Sequence, residues 1–119
     1  MKKPEIFFLG APKCGTTAIG QYLSEHPSLH ISSPKETNYF CGDFKTGERV
    51  YSDEEYLNKY FSELQSSTPD CIGVDASVLG LYATDTIQNI LHFQKKARFI
   101  VMLRNPVEMA YSLYSMFTA

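Results

Sequence analysis

The chain has 119 residues, 44% of them hydrophobic and 20% charged, and its formal net charge is −2. That length suits one domain with a real core, and the composition excludes a disordered or fibrous chain. A slightly acidic balance excludes bulk binding to nucleic acid or acidic membranes, so any anion site has to be local and built from a few placed groups.

Lys2 and Lys3 before Ile6-Phe7-Phe8-Leu9 briefly imitate a secretion signal, but the apolar run is short and breaks at Gly10, Pro12 and Lys13. Ile6 to Leu9 instead reads as a strand buried on both faces. Thr16 to His26 reads as a helix stopped by Pro27, with Ala18, Ile19, Tyr22 and Leu23 on its inner face. Residues 28–51 are mixed, with short extended pieces expected at Leu29–Ile31 and Asn38–Phe40. Ser52 and Glu55 have capping-box spacing and open a second helix, whose buried stripe is Tyr56, Leu57, Tyr60, Phe61 and Leu64.

Cys71 to Val74 is a further short strand. Residues 84–94 form a helix with Ile87, Ile90 and Leu91 facing inward, and Phe99 to Leu103 is the second strongly apolar strand. Asn105 as cap, Pro106 at the first helical position and Glu108 in the first turn launch a last helix. Strands alternating with helices predict an α/β domain: a three-layer, P-loop-like arrangement around a central parallel sheet, with ligands at the carboxyl edge of the strands. Without repeats or a linker, residues 1–119 read as one domain.

Cys14, Cys41 and Cys71 lack metal-like spacing, and their odd count favours free thiols in a reducing compartment. No stretch is long enough to span a bilayer. A cytoplasmic protein without a metal site is the expectation. His26 suits a capping role at a helix end, while His30 and His92 lack catalytic spacing.

The chemistry concentrates in Gly10-Ala11-Pro12-Lys13-Cys14-Gly15-Thr16-Thr17, between the first strand and the first helix. Two glycines bracket a tight turn whose N–H groups can converge on an anion, and the helix start adds its dipole. Thr16 and Thr17 offer hydroxyls and Lys13 a full charge. The spacing resembles a Walker A loop, yet Thr16 stands where that lysine belongs and the lysine lies three residues earlier. The strand Phe99–Leu103 runs into Arg104 and lacks a magnesium-holding aspartate; Asp75, after a weaker strand, is the nearest substitute. A P-loop kinase or NTPase is thereby disfavoured. Arg104 offers a planar fork suited to phosphate, with Ser112 a further donor two turns into the last helix.

Together these segments resemble the PAPS-dependent sulfotransferases, which use 3′-phosphoadenosine 5′-phosphosulfate (PAPS). Gly10 to Thr17 is similar to their 5′-phosphosulfate loop, and Arg104-Asn105-Pro106-Val107-Glu108-Met109-Ala110-Tyr111-Ser112 to their 3′-phosphate segment. The resemblance runs from Ile6 to about Phe117 and is nearest the bacterial and heparan-sulfate branch. It implies PAPS as donor, without a metal, and a small-molecule or carbohydrate acceptor. It further implies that Pro12, Lys13, Cys14, Gly15, Thr16 and Thr17 bind the 5′ end, with Lys13 neutralising the bridging oxygen. Arg104 and Ser112 would hold the 3′-phosphate. In that branch a glutamate shortly before an aromatic pair is the general base. Ser33-Pro34-Lys35-Glu36-Thr37-Asn38-Tyr39-Phe40 is similar, which makes Glu36 the candidate.

Two positions depart from the pattern: Ala76 stands where a lysine is frequent, and Met109 where a basic residue is usual. Family members are longer, so the resemblance implies a donor-binding, N-terminal portion, incomplete at the C-terminus. A donor-binding fragment without catalysis is the competing expectation.

Overall fold

The computed structural model describes residues 1–11, 13–33, 36–42 and 52–118. Four parallel strands make one sheet: β1 (Ile6–Gly10), β2 (Leu29–Ile31), β3 (Ile72–Asp75) and β4 (Arg98–Val101), in the order β2-β3-β1-β4. Helices α1 (Thr16–Ser24), α2 (Asp53–Tyr60), α3 (Ser62–Gln65), α4 (Thr86–Phe93) and α5 (Pro106–Thr118) connect or follow them, with a 3-10 turn at Gly80–Tyr82.

The pleat of β1 sorts its side chains between two cores. Phe7 and Leu9 join Phe40, Tyr56, Leu57, Tyr60, Phe61, Leu64, Ile90 and Phe93 on one face. Phe8 joins Val74 and Ala76 on the other, under Ile19 and Leu23 of α1. The sheet is thus the middle of three layers, and burial of each large apolar side chain contributes about 1.5–3 kcal/mol. The expected α/β fold is the observed one.

Several local expectations are revised. Helix α1 packs through buried Thr16 and Gly20 with half-buried Ile19 and Leu23, while Ala18 and Tyr22 face solvent. The buried face therefore runs through Thr16, Ile19, Gly20 and Leu23, with Ile19 and Leu23 packed against Phe8, Val74 and Ala76. The stripe from Tyr56 to Leu64 is buried as expected, but the helix breaks at Phe61 (φ −132°), leaving α3 as a single turn. In α4, Ile90 and Phe93 are buried whereas Ile87 and Leu91 are exposed. Asn38–Phe40 is a turn, with Asn38 at φ 50°, and not an extended piece.

Both predicted caps form. Ser52 Oγ accepts from Glu55 N at 3.2 Å, and Asn105 Oδ1 accepts from Val107 N at 2.9 Å. Among the described residues no helix is long and apolar enough to cross a membrane.

Candidate active site

The carboxyl ends of β1, β3 and β4 lie side by side, because β1 sits between the other two. Beyond β1 and β4 the ladder continues into the loops: Ala11 N donates to Met102 O at 2.8 Å, and Met102 N to Gly10 O at 2.8 Å. Gly10 leaves the strand at φ 141°, where a side chain would also bring its Cβ to 2.9 Å from Val78 O. Cys14 N then closes a turn on Ala11 O at 3.2 Å. Lys13 at φ 62° and Gly15 at φ 84° both lie in the left-handed region, and Gly15 caps α1 with no side chain across its first-turn amides. That helix start faces outward as an electropositive end.

Lys13, Thr16 and Thr17 line an open cleft of about 560 Å³, and Glu36 lines it too. Val78, Leu79 and Tyr82 supply an apolar wall after β3, and Leu113, Met116 and Phe117 of α5 supply the other. The cleft therefore has a polar end and an apolar body, the make-up of a small-molecule site.

Arg104 meets the loop directly, its Nη1 donating to Lys13 O at 3.1 Å while its Nε lies 3.6 Å from Glu108 Oε2. The Lys13 turn and Arg104 thus share one edge of the molecule. Ser112 is half-buried, four residues beyond Glu108 on α5 and so on the same helix face. Neither Arg104 nor Ser112 is among the described residues lining the cleft; Arg104 reaches the site only through its bond to the Lys13 carbonyl. Cys14 is buried and points away, its thiol donating to Met109 Sδ at 3.5 Å. Met109, one of the two departures, is thereby a packing contact between loop and helix. The other, Ala76, is fully buried against Phe8 and Val74. Pro12 lies outside the described residues, as do Pro34 and Lys35. His26 lies in the turn beyond the Glu25 cap of α1, and its Nδ1 accepts from Ser28 N at 3.1 Å, so its side chain shapes that turn and does not cap the helix.

Behind Glu36 lies a cluster that the sequence did not disclose. Asp75, 3% exposed at the end of β3, accepts from Thr37 Oγ1 (2.7 Å) and Tyr56 OH (2.6 Å) on one oxygen. Its other oxygen accepts from Ser77 N (3.0 Å) and Ser77 Oγ (2.7 Å). Ser77 Oγ in turn accepts from the amides of Thr37 (2.8 Å) and Asn38 (2.9 Å). Burial, and next the negative charge of Asp75, push the Tyr56 hydroxyl well above the usual tyrosine range. Asp75 and Ser77 are two residues apart and pair locally, but Thr37 and Tyr56 are distant in sequence, so only the fold assembles the four.

Comparison with known proteins identifies the arrangement. The sulfotransferase domain family matches residues 3–119. A membrane-associated sulfotransferase, kil1, of Dictyostelium discoideum is 29% identical over 111 residues, covering 93% of this chain and 22% of its own. Human carbohydrate sulfotransferase 15 is 29% identical over an alignment spanning 98% of this chain and 28% of its own. The crystal structure of a sulfotransferase from Alicyclobacillus acidocaldarius superposes with a TM-score of 0.77 at 31% identity, over 99% of this chain and 51% of that one. The chain thus spans about a quarter of these curated relatives and half of the solved structure.

Proposed function

Because this chain belongs to the sulfotransferase domain family, we propose that it transfers a sulfuryl group from PAPS to an acceptor hydroxyl or amine, releasing 3′-phosphoadenosine 5′-phosphate (PAP). The observation that carries this reading is the single cleft lined by Lys13, Thr16, Thr17 and Glu36. The donor fits that set. A turn with a helix start, two hydroxyls and an ammonium suits a phosphosulfate. The guanidinium of Arg104, with Ser112 on the adjoining helix, suits a second phosphate.

Each residue then has a definite task. Gly15, Thr16 and Thr17 hold the 5′-phosphate by backbone and hydroxyl donors, within a loop that includes Pro12 and Cys14. Lys13 neutralises the oxygen that takes the electron pair when the sulfur–oxygen bond breaks, the largest electrostatic task in this chemistry. Arg104, exchanging its bond to the Lys13 carbonyl for phosphate, holds the 3′ end with Ser112. Glu36 takes the acceptor proton as the new sulfur–oxygen bond forms, a contribution of about 10²–10⁴-fold.

The apolar walls around Val78, Leu79, Tyr82, Leu113, Met116 and Phe117 favour an acceptor with an uncharged body, a small molecule or sugar face rather than a polyanion. The three unbridged cysteines support a reducing, cytoplasmic setting.

A second reading, donor binding without turnover, is favoured by one feature: none of the described side chains of α5 is buried, so one cleft wall stands exposed. Two measurements separate the readings. PAP is expected to raise the melting temperature and Lys13→Ala to abolish the rise; no rise overturns donor binding altogether. Release of PAP from PAPS supports catalysis, and its absence beside intact PAP binding selects the second reading.

A further inference from the structure

We infer that Asp75 positions Glu36 for catalysis, acting through Thr37 and Ser77. The inference rests on the reading of Glu36 as the base, and the observation behind it is the hydrogen-bond accounting around a buried carboxylate. An ionised carboxylate accepts at about four lone-pair sites and donates at none. Asp75 is given four donors: Thr37 Oγ1, Tyr56 OH, Ser77 N and Ser77 Oγ. A buried charge needs such compensation, since an unpaired one is very costly.

The accounting also fixes which way every proton points. Thr37 and Ser77 each spend their one hydroxyl proton on Asp75. The 3.2 Å approach between their oxygens is then a contact rather than a bond. With its proton committed, Ser77 Oγ has two lone pairs left, and they receive the amides of Thr37 and Asn38. Thr37 Oγ1 accepts from Tyr39 N at 3.3 Å. Three successive amides after Glu36 are thus captured by two hydroxyls, both oriented by Asp75. This holds the chain through the left-handed Asn38 and leaves Glu36 exposed at the cleft end of an anchored segment. A catalytic group misplaced by about 1 Å can lose about 10²-fold in rate, so an anchor of this kind bears on kcat directly.

Asp75 touches neither donor nor acceptor in this scheme and is a positioning residue. Its effect therefore has to vanish when Glu36 is gone, and a double-mutant cycle tests that. The probe is PAPS with water as acceptor: water oxygen bonds to sulfur, the bridging oxygen leaves with PAP, the proton passes to Glu36, and PAP release is followed. Asp75→Asn keeps the shape but presents an NH₂ to hydroxyls that must donate. It is expected to lower kcat about tenfold while the Kd for PAP stays within about twofold. Glu36→Gln is expected to lower kcat about 10²-fold, and the double variant to be no slower than Glu36→Gln alone.

A double variant slower by the full Asp75→Asn factor overturns the inference, because the aspartate then acts independently of the base. So does a wild-type kcat in Asp75→Asn. A wild-type rate in Glu36→Gln overturns the base reading itself, and with it the inference. If Asp75→Asn fails to fold, Thr37→Val, which removes one donor and retains the other three, carries the same cycle.

Discussion

Two glycines, two buried groups (the Tyr56 hydroxyl and the Cys41 thiol) and the half-buried Tyr39 decide how the loop and its surroundings tolerate change. At Gly15 an added Cβ would meet only Met102 Cε at 3.6 Å, an ordinary contact, so the cost of alanine is the left-handed backbone at φ 84°. Gly15→Ala is therefore expected to destabilise by about 1–2 kcal/mol. At Gly10 the same conformational demand adds a Cβ 2.9 Å from Val78 O, so Gly10→Ala should lose more; urea midpoints give the order. Alkaline pH tests the hydroxyls and the thiol. Burial raises Tyr56, Tyr39 and Cys41, with Asp75 adding to Tyr56 and the bond to Asp53 adding to Tyr39. The folded state then keeps protons that the unfolded chain releases above its own values, about 8.5 for cysteine and about 10 for tyrosine. Stability is complete below those values and falls as pH climbs above them, with a negative slope because the unfolded state binds fewer protons. Denaturant melts between pH 8 and 11 should show the decline, reduced in Tyr56→Phe.

The elements differ in how openly they announced themselves. The start of α5 was legible because a cap is local chemistry: Asn105 Oδ1 holds the amides of Val107 (2.9 Å) and Glu108 (3.4 Å). Asn105→Ala should cost about 1 kcal/mol. It should also weaken PAP binding, since α5 carries Ser112 and its first residues follow Arg104; melting temperature and titration read both effects. The strand Ile6–Leu9 and the loop between β1 and α1 were legible too, whereas the strand read as Phe99–Leu103 is observed at Arg98–Val101, with Leu103 beyond it and 76% exposed. Faces were not legible. In α1 the stripe through Tyr22 is more apolar than the one through Thr16 and Gly20, yet Tyr22 is 68% exposed, while Ile19 and Leu23 turn to the sheet beside buried Thr16 and Gly20. Helix α4 shows the converse: Phe93 lies at the end of the window and fills the core, leaving Ile87 46% exposed. Nor could spacing reveal the Asp75 cluster, whose members come from a loop, a helix and a strand end. Asp75 was read instead as a poor stand-in for a metal-binding aspartate.

At the scale of the whole molecule, the strand order brings three strand ends to one edge and divides the cleft between them. The loop after β1 delivers the polar, cationic end, while the segment after β3 and helix α5 deliver the apolar walls. That division separates two functions experimentally. Leu113→Asp is expected to leave PAP protection intact, about 2.7 kcal/mol at a hundredfold excess over Kd. It should raise the KM of a small apolar alcohol about tenfold, and steady-state rates at saturating PAPS measure the change.

The backbone bonds that run past the ends of β1 and β4 carry one more implication. They rivet the lysine turn and the arginine stem to neighbouring strands whose spacing, about 4.8 Å, is set by the peptide group itself. If Lys13 and Arg104 take the two phosphates as proposed, their backbone stems stand at a fixed separation and only the side chains adjust. A nucleotide lacking one phosphate, or carrying it one carbon away, is then expected to bind more weakly than PAP.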